Sequence, residues 1–354
     1  MANNGKPEPA PMEDEKTPPN VEGMVHIRGD EIYAVCKGIR RLTKEIGVDR
    51  ALQDPRILRL IDQISKPDAY EDIFALLESE DPERRALIPG YLKEGFPPSQ
   101  LAQCVIDHVA PGMLGQQPGE LNIVEFGPGT GAEAIHIIRS IRAQLNRRIN
   151  YRGIEGSERG VTLLWKNLRE GLGNDPGVRF EVSHDDMHQW AEQNAIKVQA
   201  KQSRYEKHDQ LLLYMHSMGH VGTPERFEKL MSHLARIAAS VRGKAMIAVG
   251  IKDILSGDLT RHKIIGVRKG FGDDDLLKVG IHAEQGLVRF FATRKALRRI
   301  FRRAGLEQET TLPPETIEGY DETGVSSRFL NTILEPTDDL KRTKGIIVNY
   351  SMEK

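Results

Sequence analysis

Glycines alternate with other residues in Val124-Glu125-Phe126-Gly127-Pro128-Gly129-Thr130-Gly131, and a carboxylate stands two residues before the first of them. Glycines at 127, 129 and 131 allow a tight turn and let a ligand approach where a side chain would collide. The first N–H groups of a helix starting just beyond would face that ligand. The same stretch satisfies the dinucleotide pattern G-x-G-x-x-G, with Ala132 in the last place, a substitution some such sites tolerate. Glu125 separates the two possibilities, because a carboxylate there repels a pyrophosphate but suits a ligand carrying an amine. Further on, Glu155 is followed by Gly156 and Ser157, and a bidentate carboxylate in that place can accept from both hydroxyls of a ribose. Asp185 and Asp186 precede Met187. His216 and His220 lie four apart after a run of leucines. An imidazole, with an ordinary pKa of about 6.5, can accept or orient the proton of a nucleophile; the plainer role for either is a hydrogen bond in the core or to a loop.

These residues need strands that end where they stand. The spacing predicts strands over 121–126, 150–155, 178–183, 209–215 and 244–251, with a terminal strand over 344–350. Helices are predicted between them, the clearest from Phe227 to Val241 after Pro224, another over 294–304. Leu211-Leu212-Leu213 reads as a strand covered on both faces. This alternation predicts an α/β fold, a doubly wound Rossmann-like sheet of seven mostly parallel strands. Before it, helical spacing over about 30–114 predicts a helical cap. The expected organisation is a disordered tail over 1–24, a helical substrate-covering segment over 25–115, and a catalytic core over 116–354. Glycine-rich residues 252–292 interrupt the core and read as a lid-like insertion.

With one acid after each of three successive strands, E-x-G-x-G-x-G resembles the first motif of the class I S-adenosylmethionine-dependent methyltransferases. The resemblance implies a transferase that uses S-adenosylmethionine and releases S-adenosylhomocysteine. It implies that Glu125, Gly127, Gly129 and Gly131 hold the methionine end, Glu155 with Gly156 and Ser157 the ribose, and Asp185 or Asp186 with Met187 the adenine. Met215 would pack beside the sulfonium or the adenine, and His216 and His220 would face the acceptor as catalytic and substrate-binding residues. A finer resemblance, over about 91–334, is to the histamine N-methyltransferase family of small-amine enzymes. It rests on the helix ending I-R-A-Q-L, on G-I-E-G-S, V-R-F-E-V-S-H and D-Q-L-L-L-Y-M-H-S-M-G-H-V, and on G-Y-D-E-T-G. That family has aromatic substrate contacts where this chain has Gly219 and His220, so a small polar nucleophile, rather than histamine, is the implied acceptor. In this resemblance the helical segment, with Tyr91 near its junction, closes the substrate pocket.

Composition narrows the partners. Fifty Lys and Arg against 51 Asp and Glu give a net charge of -1, so no overall field recruits nucleic acid or an anionic membrane. No N/D-P-P-Y/F follows the fourth strand, which also argues against a nucleic-acid amino methyltransferase. The basic residues Arg294, Lys295, Arg298, Arg299, Arg302 and Arg303 share a helix with the apolar stripe Leu297, Ile300, Phe301 and Ala304, so they read as its solvated face. Asp273-Asp274-Asp275 lacks metal-loop spacing and reads as a solvated turn, or at most an acid that attracts a cationic substrate; no metal site is expected. Two cysteines and no apolar leader in the first twenty residues point to a cytoplasmic protein. The expected function is methyl transfer to a nitrogen or oxygen of a small molecule. A methyltransferase acting on RNA or protein, and a catalytically silent S-adenosylmethionine-binding protein, remain open alternatives at this point.

Overall fold

Strand β1 (Glu120–Phe126) is buried at Leu121, Ile123, Val124, Glu125 and Phe126, as expected for a strand with a parallel neighbour on each side and helices on both faces. In the computed structural model, the described residues are 97–342, except 114–119, 146, 201–208, 215–222, 242, 271, 273, 283–287 and 319–324. Before them, 36–39, 74–82 and a few isolated positions are described.

On one side β1 pairs with β2 (Arg148–Glu155), which pairs with β3 (Val178–His184). On the other it pairs with β4 (Asp209–Tyr214), which pairs with β5 (Ala245–Lys252). All four pairings are parallel. The chain steps outward from β1 through β3, then returns to β4, so the strand order reverses at the β1/β4 boundary, where open α/β sheets bind ligands beyond their carboxyl ends.

Alternate residues feed two cores. Leu121, Ile123, Ile149, Tyr151, Leu211, Leu213, Met246 and Ala248 pack under the helical stretch 100–113 (α1), α2 (Ala132–Leu145) and α3 (Glu158–Leu172). Val124, Phe126, Ile154, Leu212, Ile247 and Val249 pack under α4 (Met187–Ala200) and α5 (Pro224–Ala239). This is the doubly wound arrangement the sequence predicts. Cys36 and Ile39 enter the second core, so part of the amino-terminal helical region packs against the sheet. Among the described residues, no helix is long and apolar enough to cross a membrane.

The structure adds two features to the sequence reading. The stretch 252–292 contains a second, antiparallel sheet of β6 (His262–Lys269), β7 (Leu276–His282) and β8 (Val288–Ala292). Its Leu277, Val279, Ile281 and Phe290 join the core beneath α5 and α6 (Arg294–Arg303), where Phe227 lies 5.2 Å from the Phe290 ring and 6.0 Å from that of Phe301. The expected terminal strand at 344–350 lies outside the described residues. Beyond β5 the sheet continues with the antiparallel β11 (Ser327–Pro336), whose outer edge carries β9 (Leu306–Thr311) and the three-residue β10 (Glu315–Ile317).

Candidate active site

The glycine turn leaves β1 at the centre of the sheet. Gly127, Gly129 and Gly131 have φ of 64°, 58° and 78°, the left-handed region that side chains other than glycine rarely enter. The Gly127 N–H donates to the Ile154 carbonyl at 2.8 Å and the Gly131 N–H to that of Pro128 at 3.0 Å, so the turn is stitched to β2 and to itself. A Cβ on Gly131 would stand 2.4 Å from Leu164 Cδ1, in the fully buried seam between α2 and α3. Gly131→Ala is therefore expected to cost about 1–3 kcal/mol, from strained backbone and overpacking together. Gly156→Ala, whose Cβ would meet nothing within 4 Å, should melt with the wild type. Thermal denaturation of the two variants checks both statements.

Three acids stand at the exits of three adjacent strands. Glu155 is 2 % exposed; its carboxylate accepts from the Gly129 N–H at 3.2 Å and from the Ser157 N–H at 3.1 Å. It thus braces the glycine turn against the start of α3. Ser157 caps α3 by accepting from the Gly160 N–H at 3.0 Å. Glycine is needed at 160 because Phe74 and the Glu155 side chain both lie 2.8 Å from where its Cβ would be. Phe74 thus brings the amino-terminal helical region to the acid, and Arg159 pairs with Glu78 at 2.6 Å beside it. The Asp185 N–H donates to the Glu155 carbonyl at 3.1 Å, and His184 Nε2 lies 3.1 Å from the Gly156 carbonyl, joining the exits of β2 and β3. Asp185 is exposed, whereas Asp186 accepts from the Gln189 N–H at 2.9 Å and caps α4. Met187 is buried beneath that cap.

Glu125 stands one residue before the end of β1, at the root of the turn. It is 3 % exposed, and its carboxyl accepts from the Tyr151 hydroxyl at 2.9 Å. Burial pushes it up to about 8; the Glu133 carboxylate adds to this, the Tyr151 hydrogen bond opposes it, and Glu155 contributes the least. Burial and the Glu125 charge hold the Tyr151 hydroxyl well above its usual range. Glu133, in the first turn of α2, accepts from the Ser99 N–H at 2.9 Å and the Ser99 hydroxyl at 2.5 Å.

Tyr151 and Glu133 are the site residues that motif reading passes over. Register reveals the first. Ile123 pairs with Tyr151 and Glu125 with Gly153, so Tyr151 and Glu125 share a sheet face. Gly153, opposite Glu125, leaves room for the tyrosine: a Cβ there would stand 3.2 Å from its hydroxyl.

The structure thus brings together Glu125, Gly127, Gly129, Gly131, Glu155, Gly156, Ser157 and Asp185, with Met187 beneath them. Tyr91, Met215, His216 and His220 lie outside the described residues. Among the described residues no group of His, Cys, Asp and Glu could hold a metal ion. The basic helix α6 meets acids from two elements: Lys295 pairs with Asp274 at 2.9 Å and Arg299 with Asp275 at 2.7 Å in the acidic turn, and Arg303 with Glu228 of α5 at 3.7 Å. Asp275 is 3 % exposed. It serves as a buried partner of Arg299 and not as the solvated turn residue that the sequence suggests.

No family model matches the chain, and no curated protein matches it at a significant level. Among solved structures it is similar to 1,6-didemethyltoxoflavin-N1-methyltransferase from Burkholderia thailandensis, with 14% identity, 77% of this chain and 91% of the other covered, and a TM-score of 0.41. Magnesium protoporphyrin IX methyltransferase from Synechocystis gives 14% identity, 78% and 98% coverage, and 0.41. A putative RNA methyltransferase from Pyrococcus horikoshii gives 12% identity, 77% and 100% coverage, and 0.38.

Proposed function

We propose that the chain is a class I methyltransferase that carries a methyl group from S-adenosylmethionine to a nitrogen or oxygen of a small-molecule acceptor. The observation that carries this reading is the set of acids at the exits of β1, β2 and β3, arranged around a turn of three positive-φ glycines at the strand-order reversal. The group fits these residues. Glu125 and the glycine turn would take the amine-bearing methionine end, Glu155 the ribose hydroxyls, and Asp185 with Met187 the adenine. A pyrophosphate in the same place would meet the carboxylates of Glu133 and Glu155 and could not supply the cation that buried Glu125 lacks, which is why a dinucleotide is disfavoured.

When bound, the cofactor supplies an electrophilic methyl on a sulfonium, and its transfer needs an aligned lone pair and exclusion of water. Phe74 at the Glu155 side of the turn supports the proposed division of the chain, in which the segment 25–115 covers the site and 116–354 forms the core. His216 and His220, following β4, are proposed to accept or orient the acceptor's proton, with Tyr91 in the covering segment. A small acceptor is favoured over RNA because Lys295, Arg299 and Arg303 of the basic helix α6 are already paired with acids.

The test is calorimetric titration of the full chain with S-adenosylmethionine, S-adenosylhomocysteine, NAD and NADP. Saturable binding of the first two alone is expected, and binding of the nicotinamide cofactors alone would overturn the reading. Glu155→Ala should weaken S-adenosylhomocysteine at least about tenfold, because it removes both the ribose acceptor and the brace on Gly129. Unchanged affinity in a folded variant would remove Glu155 from the site. Turnover would then be screened with small amines and phenols, and with RNA as the competing acceptor.

A further inference from the structure

Among the described residues, Glu125 is a buried acid with no cation acting on it. Among the described residues its hydrogen-bond donor is the Tyr151 hydroxyl, and the charges that act on it are those of two more carboxylates, Glu133 on α2 and Glu155 at the end of β2. Its partner on β4 is Leu213, and Leu211 and Leu213 are fully buried there. A carboxylate this enclosed, without a counter-charge, costs more free energy than the neutral acid. An ammonium group seated at the glycine turn would reverse that balance.

We infer, on the cofactor reading above, that cofactor capture at this turn is an exchange of cations: the ammonium group of the methionine moiety displaces the proton that Glu125 holds in the free protein, and Tyr151 positions the carboxyl for the exchange. The O–H bond of the Glu125 acid breaks, its electron pair stays on the carboxylate, and the proton passes to solvent while the ammonium takes its place. Burial and Glu133 hold the Glu125 carboxyl up at about 8 in the free protein, so at pH 7 the acid carries this proton in most molecules. Tyr151 remains neutral throughout, since burial and the neighbouring acid push its hydroxyl well above the usual range.

The experiment is titration calorimetry of the full chain with S-adenosylhomocysteine in buffers of different ionisation enthalpy, from pH 5.5 to 7, where the ligand amine stays charged. Release of close to one proton per ligand is expected at pH 7. Affinity should fall by up to about tenfold for each pH unit below 7, until the bound carboxylate itself takes up a proton. The same titration with 5′-methylthioadenosine, which has no amine, should release no proton. Glu125→Gln should abolish both proton release and pH dependence for S-adenosylhomocysteine. Tyr151→Phe removes a hydrogen bond that favours the charged acid, so on lowering the pH its affinity should stop falling at a higher pH than in the wild type; a merely structural role would leave that pH unmoved. Binding of S-adenosylhomocysteine with no proton release and a pH-independent affinity would overturn this inference while leaving the cofactor intact. Equal proton release with 5′-methylthioadenosine would overturn it too. Absence of binding at every pH would instead overturn the cofactor reading itself.

Discussion

Glu125→Gln is expected to melt well above the wild type at pH 9 and together with it near pH 4.5. The carboxyl stands at about 8 in the folded chain against an ordinary value of 4.5. A folded value raised in this way means a contribution to stability that is fully present below the unfolded value and is lost as pH rises through the folded one. Between those limits the unfolded chain carries a charged Glu125 while the folded chain must keep it protonated, or else bury the charge beside Glu133 and Glu155. Glutamine has the same shape, still accepts from Tyr151, and cannot ionise. The difference between variant and wild type should therefore open from near zero at pH 4.5 to about 4 kcal/mol at pH 9. For a folded unit of this size that corresponds to roughly 10 °C. Thermal melts across that pH range decide the matter. A constant offset would mean that Glu125 is charged in the free protein. The stabilised variant should also be the poorer cofactor binder, since the acid that destabilises the empty turn is the one that would receive the ammonium group.

The glycine turn, the leucine-rich fourth strand and helix α5 are legible in the sequence because each depends on its own residues. Thr223 and Pro224 start α5, and Thr223 accepts from the Arg226 N–H at 3.3 Å. Strand β11 is harder to see, because its pattern is interrupted by Asn331, which lies at 1 % exposure and donates to Glu315 at 2.7 Å. A buried polar pair sixteen residues apart looks like two surface positions until the strand is placed beside β10. The glycines of 252–292 include one whose role is packing. Gly280 is no hinge; it lets β7 lie against β6, where a Cβ would come 2.8 Å from that of His262. Likewise the acidic turn and the basic helix each look solvated when read alone. Their pairing, Asp275 to Arg299 across 24 positions, exists only in the fold.

Lys252 gives the largest expected loss. It ends β5 with 2 % exposure, paired with the equally buried Asp258, and it donates to the Ser327 hydroxyl at 3.1 Å at the start of β11. Asp258 also accepts from the Ser256 hydroxyl at 2.6 Å and has Arg289 of β8 at 3.8 Å. One ion pair thus ties the sheet, the turn after β5 and the inserted strands together. Burial alone would raise the Asp258 carboxyl; Lys252 and then Arg289 overcome that and hold it below the ordinary range. Replacing such a pair with apolar groups can be neutral, but removing one partner leaves a buried charge behind. Lys252→Met should accordingly cost about 3–5 kcal/mol at pH 7 in chemical denaturation. Adding Asp258→Asn should recover part of that loss, because the orphaned charge goes with it. In Lys252→Met burial again governs Asp258 and its folded value rises, so the deficit should shrink as pH falls and the acid takes up a proton. Strictly additive losses in the double variant, or a deficit that does not change with pH, would mean that Lys252 acts by packing against the Phe329 ring, 5.5 Å away, and not through its charge.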